Sequence, residues 1–338
     1  MPMRQPIRYM VLDTETATLP FVNEIAQGDP DKKKKIAIAR PLIYDIGWTI
    51  TNRKGELLDR KQFLVAETFS VPAVFNTAYY AEKRPRYLEM LRKHETSIKS
   101  WDEIMEIFIA DLHTVEAVGA FNSMFDFKKA IPFTELYIRK VYSPQYQEWE
   151  KIQRQLCAHI ANERYKKDNE KEFDPNNFLF RGESYPLFDL WGLATSHLLN
   201  NVSYKNECLK HNLLTASGTF FKTSAESAYQ YICNKYDFVE SHTALDDAII
   251  ETFILSKVAQ RHAISIGIQY FPFRELGETV EFAMRRKSPK LDECETVYNA
   301  IAAYIQTKLD AGQESNYLTG LINKLRRLAS YAEMECPY

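Results

Sequence analysis

Three short stretches of this chain hold residue types suited to work on phosphate esters. The first is Asp13-Thr14-Glu15, which follows the apolar run at residues 7–12 (IRYMVL). On an extended backbone, residues i and i+2 point to the same side. Both carboxylates then face one spot, and hard divalent cations take such oxygen ligands. The second is Gly119-Ala120-Phe121-Asn122-Ser123-Met124-Phe125-Asp126. Here Asn122 opens a helix and Asp126 lies one turn further on, an arrangement that also suits an N-cap and a first-turn acid. The third is His242, five residues ahead of Asp247. Asp246 and Asp247 are adjacent, so one of them faces the site, and the helix faces marked by Ala244, Ala248 and Glu251 favour Asp247.

Each stretch alone is a weak signal, because most DxE triplets are solvated surface charge and a histidine near an aspartate is common. Together they carry more. Each acid ends a strand or opens a helix, as a cleft at a sheet edge requires. Four carboxylates suffice for two cations about 3.5–4 Å apart, the arrangement used in phosphodiester cleavage. His242, with an ordinary pKa of about 6.5, is then the candidate general base.

The elements that must position these groups follow from hydrophobic periodicity. Residues 7–12, 42–50 (LIYDIGWTI), 56–66 and 115–121 read as strands, the second and third joined by turn chemistry at Asn52-Arg53-Lys54-Gly55. Ser100-Trp101-Asp102-Glu103 is a capping box and predicts a helix start. Further helices are predicted from Ser123 to Tyr142 with a break near Pro132, within 144–172, over 224–235, and from Ala244 through Arg261. Residues 213–223 suggest a small hairpin centred on Ser217-Gly218. Residues 20–41 read as a surface insertion, with Lys32 to Lys35 on a solvated loop. Lys128 and Lys129 are better placed for a nucleic-acid strand. The expectation is an α/β fold with a mixed sheet: one domain over 1–262, with insertions at about 20–41 and 143–185, and a helical C-terminal extension over 263–338.

Bulk composition limits the options. The formal net charge of the 338 residues is -2, which excludes a basic nucleic-acid coat, so any nucleic-acid affinity must be local. The five cysteines contain no CxxC pair, against a disulfide framework or structural zinc. The chain has no apolar run long enough for a membrane span and no signal-peptide core, and a cytoplasmic location is expected.

VLDTET, FNSMFD and HTALDDA, in that order, resemble the three motifs of the DEDD exonucleases in their histidine-bearing branch. The proofreading subunit of bacterial DNA polymerase III and ribonuclease T belong to it. LIYDIGWTI is similar to the family's second strand, and the resemblance covers roughly residues 7–258. It implies a ribonuclease-H-like sheet flanked by helices, with Asp13, Glu15, Asp126 and Asp247 as ligands of two Mg²⁺ or Mn²⁺ ions. His242 would be the general base in release of nucleoside 5′-monophosphates from a 3′ end. Thr14, Leu19 and Asn122 are the expected substrate contacts, Leu19 as a wedge against the terminal base. The implied substrate is a single-stranded or frayed 3′ end of DNA, or of RNA. Phe121 departs from the pattern, standing where some relatives carry histidine, and the two insertions exceed a minimal domain. The competing expectation is a non-catalytic nucleic-acid or polymerase-binding module that meets a protein partner through its C-terminal helices. The intact set of acids and histidine argues against it.

Overall fold

The computed structural model describes residues 7–143, 145, 149–167 and 174–338. It divides into two compact units: Met1–Leu190 with Glu240–Ile268, and Trp191–Val239 with Gln269–Tyr338. The first is an α/β unit built on a seven-stranded mixed sheet of order β4-β3-β2-β1-β5-β7-β6. Its strands are β1 (Arg8–Ala17), β2 (Leu42–Asn52), β3 (Leu57–Val65), β4 (Ser97–Lys99), β5 (Ala117–Ala120), β6 (Asn177–Phe180) and β7 (Glu183–Asp189). β2 runs antiparallel to both of its neighbours, β1 and β3, whereas β5 lies parallel to β1 and β7 parallel to β5. β1 is therefore interior, and its fully buried Met10, Val11 and Leu12 suit that position.

Two apolar clusters anchor the unit. In one, the helix Trp101–Leu112 buries Trp101, Ile104, Met105, Phe108 and Leu112, the spacing of a single helical face, against Leu12, Trp48 and Val118. The capping box at its start forms as expected: the Glu103 N–H donates to the Ser100 hydroxyl, and the Ser100 N–H donates to the Glu103 carboxylate at 2.9 Å. The second cluster gathers Leu19, Tyr44, Phe75, Tyr87 and Phe133.

Two local expectations change. The lysine run does not lie on a loop. Residues Pro30–Ala39 form a helix, because Pro30 supplies a preset first-turn φ and the Asp29 carboxylate accepts the Asp31 and Lys32 N–H groups. Residues 177–189, which lie mostly within the expected insertion, instead form the β6–β7 hairpin, turned at Arg181 and Gly182 with positive φ. The helix within 144–172 is present as Glu150–Lys167; the residues flanking it at 144, 146–148 and 168–172 lie outside the described ones.

The second unit regroups the chain. Residues 191–239 pack with the C-terminal helices rather than with the sheet, so the expected division at 262/263 is not the one the packing makes. The hairpin around Gly218 shows why: a side chain at Gly218 would lie 2.8 Å from the Ile301 backbone N, so only glycine lets the turn seat on the helix Leu291–Asp310. The helix Asn316–Ala332 buries Leu318, Leu321, Leu325 and Leu328 along one stripe. Among the described residues, no helix is long and apolar enough to cross a membrane, and all five cysteines are free.

Candidate active site

The site is built at the C-terminal end of β1. The register between β1 and β2 shifts after Glu15, which pairs with Asp45 while Thr16 pairs with Ile43, leaving Tyr44 as the extra residue of a bulge. Such a bulge re-aims neighbouring side chains. Beside it, the Thr14 hydroxyl donates to Asp126 Oδ1 at 2.6 Å, tying the first acidic stretch to the second. Asp126 opens a wide π turn, Asp126–Ala130, in which the Ile131 N–H bonds the Asp126 carbonyl. Pro132, lacking an N–H, cannot give Lys128 its usual helical bond. The expected break near Pro132 thus falls within one turn of the acid, where π turns often serve function.

The third stretch arrives through β2. A side chain at Gly47 would lie 2.4 Å from the Leu245 backbone N, so glycine permits the N-terminus of the helix Ala244–Ala259 to press onto the strand. The Asp45 carboxylate accepts the Ala244 N–H at 3.0 Å and two contacts from Gln62 Nε2. The acid-Ile-Gly core of β2 is therefore the dock for the helix that carries Asp247. His242 precedes that helix with φ of 50°, a left-handed conformation that is uncommon outside glycine. The Tyr80 ring stacks on the imidazole at 4.3 Å between centroids, and its hydroxyl lies 3.1 Å from Nε2. Lys83 donates to the Ser241 carbonyl at 2.9 Å, and Arg86 reaches both that carbonyl and Asp246.

The outcome is convergence. Glu15, His242 and Asp247 each place a ligand atom within 4.8 Å of the others, and His242 Nδ1 lies 3.9 Å from Asp247 Oδ2. Asp247 faces this group while Asp246 turns to Arg86, Ser241 and Thr243. Asp13 and Asp126 adjoin the tight trio without belonging to it. Glu251, one turn after Asp247, is buried nearby and accepts the Phe121 N–H at 3.1 Å, holding the strand end that leads to Asp126.

Electrostatically the group is over-charged. Burial, and then Glu251, Asp247, Asp126 and Glu15, push the Asp13 carboxyl well above its ordinary range. Burial with Asp45 and Asp247 lifts Glu15 to about 8, and burial with Glu240 and Asp246 lifts Asp247 to about 8. Asp126 rises to about 7 through burial, against the Thr14 hydrogen bond. Glu251 is also raised well, by burial and then Asp126. Lys83 pulls Glu15 and Asp247 the other way without reversing the shift. Asp247 Oδ1 is buried with no hydrogen-bond partner among the described residues. A buried carboxylate oxygen without a donor is costly, and a cation would satisfy it. Carboxylate oxygens in this number are the donor set of Mg²⁺ or Mn²⁺.

Two of the three expected substrate contacts, Leu19 and Thr14, are committed to the interior. Leu19 is fully buried with Tyr44, Phe69 and Phe75, and offers no surface to a terminal base. The Thr14 side chain is buried and committed to Asp126. Asn122 stands at the N-cap position in a left-handed conformation but makes no side-chain cap. Ser123 organises that turn instead: its hydroxyl accepts the Ala120 N–H at 2.8 Å and donates to the Phe188 carbonyl at 2.7 Å. Sequence reasoning missed the parts played by Glu251, Asp45 and Tyr80. The four-residue step from Asp247 could have flagged Glu251. Tyr80 has no local signal. No protein-family model, curated protein or solved structure matches the chain.

Proposed function

We propose that the chain is a divalent-cation-dependent 3′→5′ exonuclease that hydrolyses phosphodiester bonds and releases nucleoside 5′-monophosphates. The observation that carries this reading is the convergence, at one strand end, of Asp13, Glu15, Asp126 and Asp247 with His242, from stretches more than a hundred residues apart. The sheet order supports it. We read β3-β2-β1-β5-β7, antiparallel on one side of β1 and parallel on the other, as ribonuclease-H-like, with β4 and β6 added at the edges.

Two Mg²⁺ or Mn²⁺ ions held by Asp13, Glu15, Asp126 and Asp247 would activate water and offset charge on the scissile phosphate. The chain's own residues do the rest. Thr14 orients Asp126, Glu251 fixes the backbone before it, and Asp45 with Gly47 sets the helix that presents Asp247. His242 Nδ1 faces the carboxylates while Nε2 lies against the Tyr80 hydroxyl, so Nδ1 is the atom placed to take the proton of the attacking water.

The test is digestion of 3′-labelled and 5′-labelled single-stranded DNA, duplex DNA and RNA with Mn²⁺ or Mg²⁺. Stepwise mononucleotide release from the 3′ end, lost in Asp13→Ala, is the expected result. An uncut set of oligomers, or undiminished release by that variant, would overturn the proposal.

A further inference from the structure

Beside the acidic strand end opens a groove of about 660 Å³ that hydrolysis itself does not use. Its lining includes chain neighbours of two of the acidic positions and of Tyr80. Thr16 follows Glu15, Phe125 precedes Asp126, and Tyr79 precedes Tyr80, which stacks on His242. A further wall is the helix Pro30–Ala39, which contributes Lys33, Lys34 and Ile38 among others. We infer that this groove receives the single-stranded terminal segment of the nucleic-acid substrate, with Lys33 and Lys34 on backbone phosphates and Tyr79 stacked on a base. The inference rests on the exonuclease reading and deepens it.

Three observations favour that occupant. The first is continuity, since the groove is lined by Thr16 and Phe125, the immediate chain neighbours of Glu15 and Asp126. The second is charge. With a net charge of -2, the chain must attract phosphate through local patches, and the helix brings paired ammonium groups to the groove. The third is Tyr79, which is 86% exposed and packs edge-on against Tyr80 with ring centroids 4.8 Å apart. An exposed, supported ring is what a stacking platform requires, and stacking tolerates any base. A groove of this volume is of ordinary ligand-pocket size.

Helical periodicity supplies an internal control. Lys33 and Lys34 face this groove, whereas Lys32 and Lys35 line a different hollow, beside Ile36 and Arg40. The two pairs carry the same charge on the same short helix and differ in direction alone.

The experiment measures binding of a 5′-fluorescein oligothymidylate, with hydrolysis-resistant phosphorothioates at its 3′ end, to the full chain in Mn²⁺. A blunt duplex is the second probe, and mononucleotide release from the ordinary oligomer is followed in parallel. Lys33→Gln/Lys34→Gln is expected to weaken single-strand binding about tenfold and to flatten its log–log salt slope by roughly 1.4, two single-strand phosphates' worth. Lys32→Gln/Lys35→Gln should stay within about twofold, and Tyr79→Ala should cost about tenfold. Equal weakening by the two lysine pairs overturns the groove while leaving the nuclease reading intact, provided the wild type cuts. Duplex binding as tight as single-strand binding also overturns it. Selective loss through Lys33 and Lys34 in a chain that releases no mononucleotide keeps the groove and removes the nuclease. A wild type that neither binds nor cuts overturns both.

Discussion

Two buried acidic positions, one in each unit, solve the same problem in opposite ways. Glu293 in the second unit is 4% exposed and is met by Lys290, Arg285 and Arg286 at 2.8, 2.8 and 3.0 Å. Burial pushes its carboxyl up, but those hydrogen bonds outweigh burial and hold it at about 2. At the end of β1, Glu15, Asp126, Asp247 and Glu251 are as deeply buried, yet surround one another, and all rise. The first arrangement is what stability alone produces. The second lowers stability at neutral pH, and a fold keeps such a cluster where something else supplies the missing positive charge. The difference teaches that burial of an acid is not informative until its counter-charges are named.

The comparison breaks first on activity. Asp13→Ala should reduce Mn²⁺-dependent nucleotide release roughly 10³-fold or more. The same variant should melt at a higher temperature than wild type in EDTA at pH 8, because it removes one of the crowded charges. A variant that loses activity and stability together would mean that the acid is an ordinary part of the fold.

Glu293→Gln tests the other side. It leaves three cations facing each other and should cost roughly 2 kcal/mol in a denaturant melt. Release per folded molecule should hold within about twofold. Between these stands Gly47→Ala, which sets a methyl against the Leu245 backbone. It should cost roughly 1–3 kcal/mol of stability and a larger share of activity than Glu293→Gln, because the displaced helix carries Asp247. Unchanged turnover in Gly47→Ala would break the docking role assigned to β2.

The pH dependence of the two groups should also be opposite. Glu15 and Asp247 titrate near 8 in the folded chain and near their ordinary carboxylate values when unfolded. Their contribution to stability is therefore full at about pH 4 and lost as pH rises through about 8. Glu293, held at about 2, stabilises above its ordinary value and loses that contribution as pH falls towards 2. Metal-free protein should melt a few degrees lower at pH 8 than at pH 5.5, and Mn²⁺ should recover more at the higher pH. Among the changes at the site, the smallest expected effect is that of Tyr80→Phe, which keeps the stack on His242 and removes the hydroxyl at 3.1 Å. It should change kcat less than about tenfold and displace the acidic limb of the rate profile.

How much was legible in the sequence depended on the range of the interaction. The acids and His242 could be picked out because the chemistry restricts residue type and order. The capping box at Ser100 and the break at Pro132 are local rules, and both hold. The helix Pro30–Ala39 was signalled by Asp29 and Pro30, but the lysine run drew attention to charge instead of caps. Leu19 shows the limit of position by analogy, because whether it meets a base depends on Tyr44, Phe69 and Phe75 packing around it, which spacing does not encode. The regrouping of residues 191–239, the clamp of Tyr80 on His242 and the saturation of Glu293 are all made by side chains that meet only after folding.

The central claim is that the acidic end of β1 lacks positive charge that divalent ions supply. Mn²⁺ titration calorimetry at pH 7 in two buffers of different ionisation enthalpy tests it most directly. Wild type should bind Mn²⁺ and release protons as the raised carboxyls ionise, and Asp13→Asn/Asp247→Asn should lose both signals. Absence of Mn²⁺ binding by wild type, or undiminished binding and proton release by the double variant, would contradict the account.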